Sequence, residues 1–255
     1  MKRYRRTGIF YCYFRLLNVL ILFFLLLVVV SCRKNSESIV PGDESLKVWL
    51  HRVNTIDKAQ HFQYLYTGFE LDVNFDTVSG TFLVEHDITD SSTLTLATWF
   101  SSIYWPSRLS YWLDFKNLSP ENKSAALSEL LRIRTKFGLN KQLIVVESFN
   151  PENLTSFDTL NFRPSFYIPA FDPSTITQDE EIYFKDYIDQ KISATGIKTI
   201  SAYYMQHSFM KKWFPEMNKL LWYLDSYETV VKDSIIRETK KDKNIEVLLV
   251  GENYP

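Results

Sequence analysis

The sequence predicts a (β/α)8 barrel of the TIM type, preceded by a targeting segment and a tether. Three observations lead there. Short apolar runs recur near residues 48, 71, 112, 144, 167, 201, 222 and 248, eight in all. Each except the last is followed by a segment of helical spacing, and strands that alternate with helices pair in parallel. About 210 residues follow the tether, which suits one such barrel. An open doubly wound sheet is the alternative for the same alternation.

The N-terminus stands outside this fold. Lys2, Arg3, Arg5 and Arg6 precede an apolar run, Leu16 to Val30, broken only by Asn18. The run is shorter than the ~20 residues of a spanning helix. It ends in Val29-Val30-Ser31-Cys32, which resembles the lipobox of bacterial lipoproteins. The expected organisation is a signal peptide over 1–31, a flexible polar tether over 32–45 and a barrel over 46–255. An uncleaved signal anchor is the alternative. Lipid on Cys32 would place the chain in the bacterial cell envelope, as a periplasmic-facing or outer-membrane lipoprotein.

Cleavage before Cys32 removes five basic residues and no acidic ones, so 29 basic and 30 acidic become 24 and 30, near −6. An acidic chain has no general attraction to nucleic acid. Cys12 leaves with the signal and Cys32 carries lipid, so no cysteine remains for a disulfide or a thiolate metal site. There are only 7 glycines and neither a GxGxxG nor a P-loop, which argues against a nucleotide-binding loop.

Leu46 to Leu50 is the first strand and Ile56 to Tyr66 a helix. Phe69 to Phe75 alternates, with Phe69, Leu71 and Val73 on one face and Glu70, Asp72 and Asn74 on the other. Ser79-Gly80 turns into a short strand over Thr81 to Val84. A helix over Leu94 to Ile103 has Ser91, Ser92 or Thr93 as its cap. Ser110 to Phe115 is a strand, and Ser119-Pro120 has the order of an N-cap and first turn for a helix to Phe137. Strands at Gln142–Val146, Ser165–Ile168, Thr199–Tyr204, Leu220–Leu224 and Ile245–Val250 alternate with helices at Pro151–Leu160, Gln178–Ser193, His207–Phe214 and Tyr227–Lys240. The sequence ends at Pro255, so no helix is expected after the last strand.

In such a barrel the site lies at the C-terminal ends of the strands. Four short pieces fall there: His51-Arg52, Glu70-Leu71-Asp72, His86-Asp87 and Asp114-Phe115-Lys116. Residues two apart on a strand share a face, so Glu70 and Asp72 point inward together, as do Asp114 and Lys116. Inward carboxylates side by side repel unless a cation sits between them. Three carboxylates favour a hard ion, Mg²⁺ or Ca²⁺. Solvated loop ends paired with Arg52 and Lys116 are the bland alternative. His51 and His86 flank the carboxylates and titrate in the range of a general acid and base. His61 is expected on a helix surface, and His207 is a secondary candidate.

The order His-Arg, Glu-x-Asp, His-Asp resembles the glycerophosphodiester phosphodiesterase family. Glu147-Ser148-Phe149-Asn150-Pro151 is similar to that family's Ser-Phe segment. The run from Val247 to Pro255 resembles its last strand, with Asn253 where the family tends to have Asp. Trp49-Leu50-His51-Arg52-Val53-Asn54 and Leu113-Asp114-Phe115-Lys116 are closer to the related menorin family. Val53 stands in place of the phosphodiesterases' Gly after His-Arg, and Asp114 in place of their Glu. The resemblance implies a TIM barrel that hydrolyses glycerophosphodiesters or related lipid head groups, small-molecule phosphodiesters. It implies a divalent cation on Glu70, Asp72 and Asp114, phosphate contacts from Arg52 and Lys116, and catalysis by His51 and His86. A non-catalytic binding or scaffold lipoprotein on a menorin-like barrel is the alternative.

Overall fold

The computed structural model describes residues 46–86, 93–139, 143–223 and 237–252. Among these residues there are nine strands: β1 (Lys47–Leu50), β2 (Gly68–Asp76), β3 (Thr81–Val84), β4 (Ser110–Phe115), β5 (Ile144–Ser148), β6 (Arg163–Tyr167), β7 (Thr199–Tyr203), β8 (Asn218–Trp222) and β9 (Ile245–Val250). Among the described residues, six α-helices with both ends defined lie between them: α1 (Ile56–Phe62), α2 (Leu96–Ser101), α3 (Lys123–Lys136), α4 (Thr155–Asp158), α5 (Gln178–Thr195) and α6 (His207–Trp213).

The strand order is β1-β9-β8-β7-β6-β5-β4-β2-β3, and β1 pairs β2 in parallel through Leu50 and Phe69. That last pairing closes eight parallel strands into a barrel and removes the open-sheet alternative. β3 lies outside the ring, folded back antiparallel on β2.

Alternation along each strand builds two apolar regions. Outward residues such as Phe69, Leu71, Val73, Leu113, Val146, Phe166, Ile200 and Leu248 pack under the helices as the main core. Inward residues Trp49, Trp112, Val145, Leu220, Val247 and Leu249 fill the barrel itself. Gly68 faces Trp49 so closely that a Cβ there would lie 2.4 Å from Trp49 Cδ2. Only glycine lets that indole lie across β2.

Helix ends follow local hydrogen bonding. Thr177 and Glu180 form a capping box that starts α5, and Gly196 at φ 70° ends it. α2 is capped by Thr95, whose hydroxyl accepts from the Thr98 amide, and not by Ser91, Ser92 or Thr93. α3 starts at Lys123, later than expected. The Asn122 side chain accepts from the Ser119 amide at 2.9 Å and donates to Asn117 O at 2.8 Å, which makes Ser119-Pro120 a turn ahead of the helix.

The signal peptide, the tether, Cys32, Asp87 and Asn253 to Pro255 lie outside the described residues, as does most of the expected helix over Tyr227–Lys240. The expected absence of a helix after the last strand lies there too. Among the described residues no helix is long and apolar enough to cross a membrane.

Candidate active site

β2, β4 and β5 bring four carboxylates to one end of the barrel. Asp72 pairs with Asp114 and Asp114 with Glu147 across adjacent strands, so these three stand side by side at one level. Glu70 lies one inward step below Asp72. Oxygen atoms of Glu70, Asp72 and Asp114 all lie within 4.8 Å of one another.

The loop after β1 closes over this cluster. Arg52 adopts φ 53°, and from there its amide donates to Glu70 Oε2 at 2.6 Å. Asn54 donates to Asp72 Oδ2 at 2.6 Å and accepts from the Asp72 amide at 3.0 Å. The Trp99 indole N–H donates to Val53 O at 2.9 Å and anchors the loop to α2.

Lys116 Nζ lies 2.7 Å from Asp72 Oδ1 and also bonds Asp114 Oδ2. Burial works against its charge, but Asp114 and Asp72 outweigh it and hold the ammonium protonated above its usual range. Burial raises Glu70 well above the ordinary carboxylate range, and Asp72 and Asp114 push it the same way. Burial also raises Asp114, and raises Glu147 strongly with help from Asp114.

His51 Nδ1 lies 3.3 Å from Tyr223 O, and its Nε2 lies 3.7 Å from Glu70 Oε2. The carbonyl assigns the proton to Nδ1 and leaves the Nε2 lone pair toward the site. Burial, with Arg52 second, lowers its pKa to about 4, so the ring is neutral near pH 7. His86 is exposed at the rim, and its Nε2 lies 3.4 Å from Arg52 Nη2.

All seven residues nominated from the sequence, His51, Arg52, Glu70, Asp72, His86, Asp114 and Lys116, line one cavity of about 220 Å³. The opposite side of that cavity is aromatic. Phe149 lies 4.2 Å from Tyr167, Tyr167 lies 6.2 Å from Trp222, and Trp222 lies 5.8 Å from His51. A somewhat larger cavity of about 260 Å³, lined by Arg163, Lys198 and Thr199 among others, contains none of these carboxylates. His61 is exposed on α1, and His207 pairs with Asp242 at 3.0 Å instead of facing the cavity.

Glu147, Asn54, Tyr167 and Trp222 were not among the nominated residues. Glu147 is buried, lines the cavity, and its Oε2 has no hydrogen-bond partner among the described residues. The signal for it was available: Val145, Glu147 and Phe149 alternate onto one face, with the carboxylate at the strand end.

The donor set fits a divalent cation. Four carboxylates face two cationic side chains, Lys116 and Arg52, and a surplus of buried negative charge costs several kcal/mol per ion unless compensated. The donors are oxygens, which suits a hard ion.

No protein-family model and no curated protein matches the chain. Solved structures do match it. A glycerophosphodiester phosphodiesterase from Parabacteroides distasonis is 17% identical with a TM-score of 0.57, over 82% of this chain and 93% of that one. An Oleispira antarctica phosphodiesterase, solved with the product sn-glycerol-3-phosphate, is 13% identical with a TM-score of 0.53, over 80% and 92%. A glycerophosphodiester phosphodiesterase from Thermotoga maritima is 15% identical with a TM-score of 0.52, over 82% and 95%. The chain therefore has the TIM-barrel fold of the glycerophosphodiester phosphodiesterases.

Proposed function

We propose that this protein is a metal-dependent phosphodiester hydrolase acting on glycerophosphodiesters or related lipid head groups, held at the bacterial cell envelope by lipid on Cys32. The observation that supports it best is the convergence of all seven nominated residues on one cavity at the C-terminal strand ends. The likeness in fold to phosphodiesterases points the same way.

Glu70, Asp72 and Asp114 would hold the ion, Mg²⁺ or Ca²⁺. When bound, it supplies Lewis-acid polarisation of a phosphoryl oxygen. The guanidinium of Arg52 and the ammonium of Lys116 pair with the other phosphoryl oxygens and with the charge that develops on them. His51 Nε2 accepts the proton of the attacking hydroxyl. His86, at the rim, returns a proton to the departing alkoxide. The aromatic wall of Phe149, Tyr167 and Trp222 packs against the organic part of the diester.

The test is hydrolysis of a panel of glycerophosphodiesters by chelator-treated protein, with Mg²⁺ or Ca²⁺ restored. Release of the alcohol only with the cation is expected. No cation-dependent release on any member would favour a non-catalytic binding protein.

A further inference from the structure

At the end of the barrel opposite the carboxylates, two loops present aromatic side chains to solvent. Tyr64 and Leu65 follow α1 and lead into β2, and Tyr104 and Trp105 follow α2 and lead into β4. β2 and β4 are neighbours, Gly68 opposite Ser110, and the Ser110 amide donates to Thr67 O at 3.0 Å. The two loops therefore lie side by side. Gln63 ties them together by accepting from the Tyr104 amide at 3.1 Å.

The four side chains are 63%, 70%, 70% and 50% exposed, in chain order. Of nine exposed large hydrophobic residues among the described ones, four are here, so the patch is a concentration and not ordinary scatter. Trp105 lies 6.0 Å from Tyr64 and 6.4 Å from Tyr104, and Arg108 lies over its ring at 4.8 Å. Tyrosine, tryptophan and arginine combine an apolar body with a polar tip, which is the composition that settles at the headgroup level of a bilayer.

The chain itself supplies a reason for a bilayer to be there. β1 starts at the same end, beside β2, so the segment that precedes Leu46 joins the barrel on this face. Fourteen residue steps separate Cys32 from Leu46. They span at most about 50 Å. Lipid on Cys32 and an uncleaved apolar anchor would both hold that segment at a membrane.

We propose that Tyr64, Leu65, Tyr104 and Trp105 form a docking surface for the interfacial layer of the bilayer to which the N-terminal segment tethers the chain. This rests on membrane attachment of that segment and not on the hydrolase activity. In the docked state the carboxylate cavity opens on the far side, toward water-soluble phosphodiesters.

The test uses the full chain, purified from bacterial membranes and reconstituted in vesicles of phosphatidylcholine and phosphatidylglycerol containing brominated phosphatidylcholine. No tryptophan precedes Trp49, so an anchor contributes no signal. Bromine is expected to quench wild-type tryptophan fluorescence, and Trp105→Phe is expected to lose most of that quenching. A Tyr64→Ser, Leu65→Ser, Tyr104→Ser triple variant should lose most of the quenching of Trp105 while keeping its native circular dichroism. Absence of quenching in membrane-attached wild type, or equal quenching in Trp105→Phe, overturns the docking surface. The mass of the N-terminal peptide and membrane flotation report the tether separately. A chain that carries no lipid and does not float refutes the tether itself, and the proposal with it.

Discussion

The backbone amide of Arg52 donates to Glu70 Oε2 at 2.6 Å from a left-handed conformation, φ 53°. A non-glycine residue in that region carries a penalty of about 1–2 kcal/mol. Here the twist gives one residue two functions: its amide fixes a carboxylate, and its side chain reaches His86 at the rim.

The two functions separate by substitution. Arg52→Gly keeps the left-handed backbone, so cation affinity by calorimetry should match wild type. Its rate should fall by about 10- to 100-fold, the worth of a lost charge-assisted hydrogen bond. Arg52→Val, β-branched and poorly suited to positive φ, should lose cation affinity as well. Wild-type affinity in Arg52→Val would show that the amide does not organise Glu70.

Cation binding should appear as pH-dependent stability. Glu70 and Glu147 have folded pKa values raised above their unfolded values by burial. Their contribution favours the fold below the unfolded carboxylate range and is lost as pH rises toward the folded values. Chelator-treated protein should therefore lose thermal stability from these groups as pH rises above the unfolded carboxylate range. Mg²⁺ or Ca²⁺ at about 100 times its Kd should add about 2.7 kcal/mol near neutrality, and less at the acid end. Differential scanning fluorimetry with and without cation measures the gap. A gap that does not widen with pH would count against ionised carboxylates as the ligands.

Packing inside the barrel gives an independent check on register. A methyl group at position 68 would meet the Trp49 ring at 2.4 Å. Gly68→Ala should destabilise by about 1–3 kcal/mol, as overpacked cores do, and Trp49→Leu in the same chain should recover part of the loss. Urea denaturation of the single and double variants measures it. A neutral Gly68→Ala would mean that Trp49 does not lie across β2.

Much of this site was legible in the sequence because strand alternation is a strict rule. Glu70 and Asp72 sit two apart in a run whose other face is Phe69, Leu71 and Val73, so their shared direction follows from spacing alone. Asp114 and Lys116 follow in the same way. Glu147 escaped because the expected strand stops at Val146, whereas β5 runs to Ser148 and sets Glu147 beside Asp114. Asn54 escaped because it lies in a loop without periodicity, and its partner Asp72 is 18 residues away. The start of α2 was misplaced because Ser91, Ser92, Thr93 and Thr95 are all capable caps, and only backbone geometry selects Thr95. Closure of the ring through Leu50 and Phe69 is a tertiary pairing that alternation cannot distinguish from an open sheet.

The most direct measurement is the rate of glycerophosphodiester hydrolysis by wild type, His51→Ala and His86→Ala, each with its bound cation quantified. Both variants should retain cation and thermal stability and lose rate by roughly 10²–10⁴-fold, the usual worth of acid–base catalysis. Equal rates in all three proteins, with cation bound, would contradict the assignment of these histidines and of the cavity they share with Glu70, Asp72 and Asp114 as the hydrolytic site.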